Sequence, residues 1–568
     1  MLETTLSSQF NTGTNLTGGL ASAAWRFLLP GLEECDKVLC LGAPAMSTLA
    51  VLSAMSRQTE VISDQSNRVQ QLQHEIASRA LANVSIHAVD GFSKLPGEDG
   101  SVSLLFITFE SSPSLILRNA AILREISRLL KNDGVLYFEI NRIRDRSACK
   151  AALLRLRALG FGTHQAFWLT PTRGELSTAF PLNEPDMADY LFTNVLFGQT
   201  LKNRVISRLG TLLSRSRHLH LVAPRQAFLL RKLPLNGALP HLPQYLEHLA
   251  RNAGYDVAGI RYGLSARGKY NANKTIFYLF RGQGRKAEAV VKMTRAAAFN
   301  HRLENEYRAL VTLKENEYAD PSTYPEALFF GYHAGMAVLG QKAVHGKPFR
   351  RCTSATVNCP IVRDAIDWIV GLGEKSANTA AVTPAQAGQI LTTLQKRFVD
   401  IYQPAQKERE FLSEQIEIVA RATGKFPTVF QHGDPGLWNI LVSDQSKVIV
   451  IDWEAGEVHG MPLWDFFYFI RSYASWMCRD AGNRNSLESF KAKFLNTSDI
   501  TPLVAETIDR YCGAVGLDKN LVAPLFYTCW MHRALKESTR LTKESLDTGH
   551  YFNLVRLCAN HKKPPFLS

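Results

Sequence analysis

The chain has 568 residues, 46% apolar and 20% charged, a balance that excludes a disordered or membrane-embedded polypeptide. Lysine and arginine number 65 against 51 aspartate and glutamate, so the net charge of +14 favours anionic partners such as nucleotides, nucleic acid or acidic lipid. The basic residues are interleaved with apolar ones and form no tail, so nucleic acid is not expected, and nine cysteines without a CxxC pair point to neither a disulfide framework nor a zinc site.

The polar start MLETTLSSQFNTGTNLTGG lacks the basic opening and apolar core of a secretory signal. The longest apolar runs, such as 104–107 and 448–451, are of strand length, so no membrane span is predicted and a cytoplasmic location is expected. From residue 37 to 142, the runs KVLCLG, TEVIS, NVSIHAV, VSLLFITF and GVLYFEI alternate with helical stretches. Two of these are SNRVQQLQHEIASRALA and LRNAAILREISRLLKNDG, the second closing on Gly134 as a helix stop. The alternation predicts a doubly wound, Rossmann-like α/β domain.

Residues 187–217 follow one helical pattern, with Leu191, Val195, Leu196, Leu201, Val205, Leu209, Leu212 and Leu213 apolar and Lys202, Arg204, Arg208, Arg215 and Arg217 interleaved. Two readings stand: a helix covering the sheet with a solvated basic face, and a basic amphipathic helix in peripheral contact with an anionic membrane. RQAFLLRK then reads as a closing strand, and the proline-punctuated LPLNGALPHLPQ as a linker, giving domains 1–235 and 236–568. Beyond the linker come the short strands VAGIRYG, TIFYLF and AVVKM, a helix, a strand near 337–339, and then mostly helices. A small β-rich lobe is expected ahead of a large α-rich one.

Residues 37–142 resemble a class I, S-adenosylmethionine-dependent methyltransferase domain. The resemblance places Gly42 in the turn after the first strand, Asp64 at the end of the second for the ribose hydroxyls, and Asp90 toward the adenine. The first motif reads LCLGAPAMS, without the later glycines and with Cys40 where that family carries an acidic residue. Cofactor binding and a scaffold or acceptor-binding role therefore both stay open.

The most informative stretch is QHGDPGLWNILVSDQSKVIVIDWE, residues 431–454. Asp434 precedes Asn439 by five positions, and two short apolar runs joined by the polar turn 443–446 lead to Asp452. Such a hairpin returns the chain so that Asn439 and Asp452 emerge at one end, where an amide oxygen and a carboxylate suit magnesium. Asp434 would orient or accept the proton of an attacking hydroxyl.

The spacing HGD, four residues, asparagine resembles the aminoglycoside phosphotransferase and choline kinase group, which shares the bilobal α+β protein-kinase-like fold. The resemblance implies ATP and magnesium, with Asp434 as base and Asn439 and Asp452 on the metal. It also implies a strand lysine, Lys292 in AVVKM, neutralising phosphates, and a helix glutamate orienting it. Glu304 and Glu306 both lie in RLENEYRAL, and Glu306 is preferred because it precedes the family-like YRAL. MAVLGQKAVHGKPF resembles the strand and hinge that receive adenine, and Asp465 an aspartate with a structural role.

The loop GLSARGKYNANK carries Gly263 and Gly268 but no GxGxxG, which leaves Ser265 and backbone amides to cover the phosphates. The expected activity is phosphoryl transfer to a hydroxyl of a small molecule or glycan. The alternatives are methyl transfer, with a kinase-like half that only binds substrate, and a non-catalytic scaffold.

Overall fold

The structure, a computed structural model, describes residues 23–31, 35–92, 94–107, 113–171, 176–195, 201–232, 242–268, 272–282, 284–561 and 563–567. The chain divides into two compact units, residues 1–303 with 327–343, and residues 304–326 with 344–568. No helix among the described residues is long and apolar enough to cross a membrane. All nine cysteines are free thiols, most of them buried.

In the first unit, the apolar runs form β1 (Cys35–Leu41), β2 (Ser56–Ser63), β3 (Val84–Ala88), β4 (Val102–Ile107) and β5 (Leu130–Asn141), all parallel. β1, β2 and β4 are buried almost continuously toward their carboxyl ends, as strands covered on both faces must be. Covering helices follow the predicted period, with Val69, Leu72 and Ile76 buried on one and Ile122, Leu123, Ile126 and Leu129 on another. The second helix begins at an unforeseen cap, where the Asn119 side chain accepts from the Ala121 and Ile122 amides. It stops at Leu129, short of Gly134, because Leu130 already pairs with Val102 in the sheet.

β6 (Phe161–Thr170), β7 (Thr178–Pro181) and β8 (Arg225–Lys232) follow. The order along this part of the sheet is β3-β2-β1-β4-β5-β8-β6, with β8 antiparallel to both of its neighbours. The stepping of the strands reverses between β1 and β4. That is the switch point beside which open α/β sheets bind ligands.

The stretch expected as one helix over 187–217 is broken. A helix Pro185–Tyr190 runs into a π-helical turn, Leu191–Val195, and a separate helix spans Leu201–Arg215; residues 196–200 lie outside the described set. The break lets the second helix fold back on the first. The Ser207 hydroxyl donates to the Phe192 carbonyl at 2.6 Å, and Gly210 lies against the Phe192 ring.

The remaining strands of this unit are β9 (Ile260–Ser265), β10 (Thr275–Arg281), β11 (Ala289–Met293), β12 (Ala327–His333) and β13 (Met336–Lys342). β12 is a strand that the residue pattern does not predict. β7 pairs with β9 at Thr178 with Ser265 and Ala179 with Leu264, so all thirteen strands belong to one sheet. The expected boundary at 235 lies in 233–241, outside the described residues, and the compact division falls elsewhere. The β-rich strands stay with the first unit because they share its sheet and its core: Trp25, Tyr137 and Phe167 belong to one apolar cluster with Tyr262, Phe277 and Val338.

The second unit is mostly helical around its own core, which is rich in aromatic side chains such as Phe349, Phe398, Phe466, Phe467, Phe526 and Trp530. Two three-stranded sheets sit in it. One has the order β14 (Lys347–Pro348), β17 (Ile440–Val442), β18 (Val448–Val450), and the other β15 (Asn378–Val382), β16 (Phe426–Gln431), β19 (Glu457–Gly460).

Candidate active site

β16 is buried along its whole length and delivers His432 into the interior of the second unit. The imidazole Nε2–H donates to the Ile451 carbonyl at 2.9 Å, and Nδ1 accepts the Asp434 amide at 3.2 Å, so both ring nitrogens are satisfied in one tautomer. Gly433 adopts φ +75°, and a Cβ there would lie 2.1 Å from the Ala455 carbonyl, so only glycine fits this turn. Asp434 follows, its side chain 22% exposed.

The Asn439 Nδ2 donates to the Asp434 carbonyl at 2.9 Å and to its Oδ2 at 3.3 Å. With the amide NH2 directed at Asp434, Asn439 presents its Oδ1 as acceptor. The predicted hairpin is present, with Ile440 opposite Val450 and Val442 opposite Val448. The Ile451 amide donates to the Asn439 carbonyl at 2.9 Å, which sets Asp452 beside Asn439 at the same end. Asp452 holds φ 68° and ψ 62°, a left-handed conformation uncommon outside glycine and concentrated at functional sites.

Asp465 opens the helix Trp464–Asp480, and its carboxylate accepts the His432 amide at 2.6 Å and the Gly433 amide at 2.9 Å. Burial raises its pKa, while His432 and the two amide donors act in the opposite sense. This agrees with the structural role expected from the resemblance.

A basic cluster that the sequence reading did not single out comes from the helix Val522–Ser538. Arg533 donates from Nη2 to Asp434 Oδ1 at 2.8 Å and from Nη1 to the Gly433 carbonyl at 2.7 Å. Its guanidinium stands 3.7 Å from the centroid of the Tyr468 ring, a cation–π contact. Lys536 reaches the same Gly433 carbonyl at 3.2 Å and Glu457 at 3.4 Å. His532 lies 3.6 Å from Glu457, which would favour a charged ring, yet its pKa falls well below the usual histidine value. Burial and the neighbouring cations Lys536, Arg533 and Arg397 outweigh that one carboxylate. The only sequence signal for this cluster is HRALK inside an otherwise apolar helix.

The helix Asn300–Glu315 carries Glu306, fully buried, while Glu304 is only half-buried. Burial of a glutamate is rare without a partner and favours Glu306 over Glu304 for a polar role. Within the second unit, Asn305 Nδ2 donates to the Glu454 carbonyl at 3.1 Å and the Gly456 carbonyl at 2.8 Å, tying this helix to the turn after Asp452. In the first unit, Lys292 is 9% exposed on β11, opposite Ile276 and Leu339. Ser265 ends β9 as a buried strand residue paired with Thr178 and Ile276, so it does not stand in the open loop. Gly268 takes φ +103°, and loop residues 269–271 lie outside the described set.

The residues expected to hold a nucleoside in the first unit share one edge of its sheet. Gly42 follows β1 with φ 92° and donates its amide to the Ile62 carbonyl at 2.8 Å. Asp64 and Asp90 come just after the carboxyl ends of β2 and β3, and both are exposed. Cys40 is buried in β1.

Among the described residues, no three histidine, cysteine or acidic side chains gather as a metal cluster. Magnesium with phosphates needs only one or two protein oxygens, and the amide–carboxylate pair of Asn439 and Asp452 fits that need.

Residues 273–494 match the phosphotransferase enzyme family APH. No curated protein matches the chain. Solved structures similar to it include an S-adenosylmethionine-dependent methyltransferase from Aquifex aeolicus, at 19% identity over 28% of this chain and 89% of that one, TM-score 0.23. Geranyl diphosphate C-methyltransferase from Streptomyces coelicolor A3(2) aligns at 12% identity over 38% of this chain and 78% of its own, TM-score 0.24. The YcgJ protein of Bacillus subtilis aligns at 15% identity over 39% and 99%, TM-score 0.23. Residues 273–494 thus match a phosphotransferase family, and the N-terminal part folds as a Rossmann-like parallel sheet to which β8 adds antiparallel.

Proposed function

We propose that the chain is an ATP-dependent phosphotransferase that acts on a hydroxyl of a small molecule or glycan. The observation that carries this reading is the convergence of Asp434, Asn439 and Asp452 on one end of the 440–450 hairpin, within a stretch matching a phosphotransferase family. In the reaction, the acceptor oxygen bonds to the γ-phosphorus as the bond to the β,γ-bridging oxygen breaks, and ADP leaves. The acceptor proton passes to the Asp434 carboxylate, which Arg533 and Asn439 hold in position. Magnesium, bound through Asn439 Oδ1 and Asp452, would neutralise phosphate charge.

A second reading concerns the first unit. Gly42, Asp64 and Asp90 at the carboxyl edge of β1, β2 and β3, beside the switch point, support binding of S-adenosylmethionine or a related nucleoside there. Titration calorimetry separates the two. MgATP binding that weakens in Asp452→Ala supports the kinase reading, whereas S-adenosylmethionine binding without any ATP binding removes it and promotes the first unit.

A further inference from the structure

The helix Leu201–Arg215 buries one side only. Gly210 and Ser214 face inward, and a Cβ on Gly210 would fall 2.5 Å from the Phe192 ring, so this side is seated closely. The opposite side is apolar where a surface helix ordinarily carries charge. Val205, Leu209 and Leu212 are 48%, 53% and 64% exposed.

With about 100° of turn per residue, these three fall in a sector about 60° wide, pointing away from Gly210 and Ser214. Exposed Arg208 and Arg215 lie along one flank of the sector, and exposed Arg217 and His218 stand just beyond its end. Arg215 reaches Asp189 at 3.0 Å while staying 69% exposed, so Arg208 is the less compensated of the two.

An apolar ridge bordered by arginines is what a helix lying in the headgroup region presents: aliphatic side chains enter the acyl boundary and guanidinium groups meet lipid phosphates. A solvated basic face would have no use for Leu209 and Leu212. A purely apolar partner surface would leave the flanking arginines without counter-charge, whereas an acidic bilayer satisfies both features and attracts a chain of net charge +14. From this complementarity we propose that the outer face of the 201–215 helix docks on an anionic lipid surface. The proposal is independent of the phosphotransferase reading.

The test is co-sedimentation of the full chain with phosphatidylcholine vesicles, with and without phosphatidylglycerol. The wild type pellets with the anionic vesicles, less so as salt is raised, and stays largely in solution with the neutral ones. Leu209→Glu with Leu212→Glu abolishes pelleting and leaves the thermal midpoint unchanged, because both side chains are exposed. Arg208→Gln with Arg215→Gln lowers the partition coefficient by on the order of tenfold. The proposal is overturned if anionic vesicles fail to bind the wild type, or if they bind the glutamate variant equally. It is also overturned by a concentration-dependent dimer that the glutamate pair dissolves, since a second copy would then be the occupant.

Discussion

Replacing Arg533 by methionine keeps a long apolar stem in place and deletes the guanidinium that ties the 522–538 helix to Asp434. The structure assigns this group two charge-assisted hydrogen bonds, 2.8 Å to Asp434 Oδ1 and 2.7 Å to the Gly433 carbonyl, and one aromatic face at 3.7 Å. Truncating one partner of a buried pair costs about 3–5 kcal/mol. Asp434 keeps 22% exposure and Lys536 still reaches Gly433, so about 3 kcal/mol is expected here. The direct term is isolated by a double-mutant cycle of Arg533→Met with Asp434→Ala, for which the coupling should be about 1.5–3 kcal/mol. The assay is urea unfolding followed by tryptophan fluorescence. Of the eight tryptophans, Trp368, Trp438, Trp453, Trp464, Trp476 and Trp530 belong to the second unit, so the signal reports its transition. Additive single and double variants, with a coupling below about 0.5 kcal/mol, would refute the claim that Arg533 holds Asp434.

Asp434→Asn should lower kcat by about 10²–10⁴ while MgATP still binds, measured by coupled ADP release against calorimetric affinity. Gly433→Ala forces a Cβ into the Ala455 carbonyl at positive φ, and should destabilise the second unit by about 3 kcal/mol or more in the same urea assay. His550 titrates at about 3, lowered by burial and by Arg471, and His532 is lowered as well. For both, the unfolded state takes up protons first. Stability is therefore fully present above about pH 6.5 and is lost as pH falls, by up to about 1.4 kcal/mol per pH unit for each histidine. Urea midpoints from about pH 7.5 down to 5 check this, and His532→Gln should flatten the slope.

The 431–454 stretch was legible because its contacts are local. His432, Gly433, Asp434, Asn439 and Asp452 lie on one turn and one hairpin, so spacing alone predicts which side chains meet. Arg533 and Lys536 were not, since they reach the same loop from a helix whose remaining pattern, Leu525 to Leu535, reads as core. The parallel strands β1 to β5 were clear from short apolar runs alternating with helical stretches, whereas β12, ALFFGYH, has no clean alternation and surfaced only through its pairing with β13. The fold-back of the 201–215 helix depends on Phe192 meeting Gly210, a non-local fit that helical periodicity extends straight through. Likewise, no pattern in RYGLS announces that Ser265 will pair with Thr178.

That last pairing bears on how this polypeptide can be cut. A fragment starting at the proline-rich segment would lay bare the β9 flank that β7 normally occupies, and the complementary fragment would bare β7 itself. Each would carry an unprotected row of backbone donors and acceptors, the kind of surface through which chains stack into aggregates. During synthesis, too, β7 leaves the ribosome well before its neighbour exists. The nascent Rossmann-like sheet must wait for the β-rich strands before its border is closed.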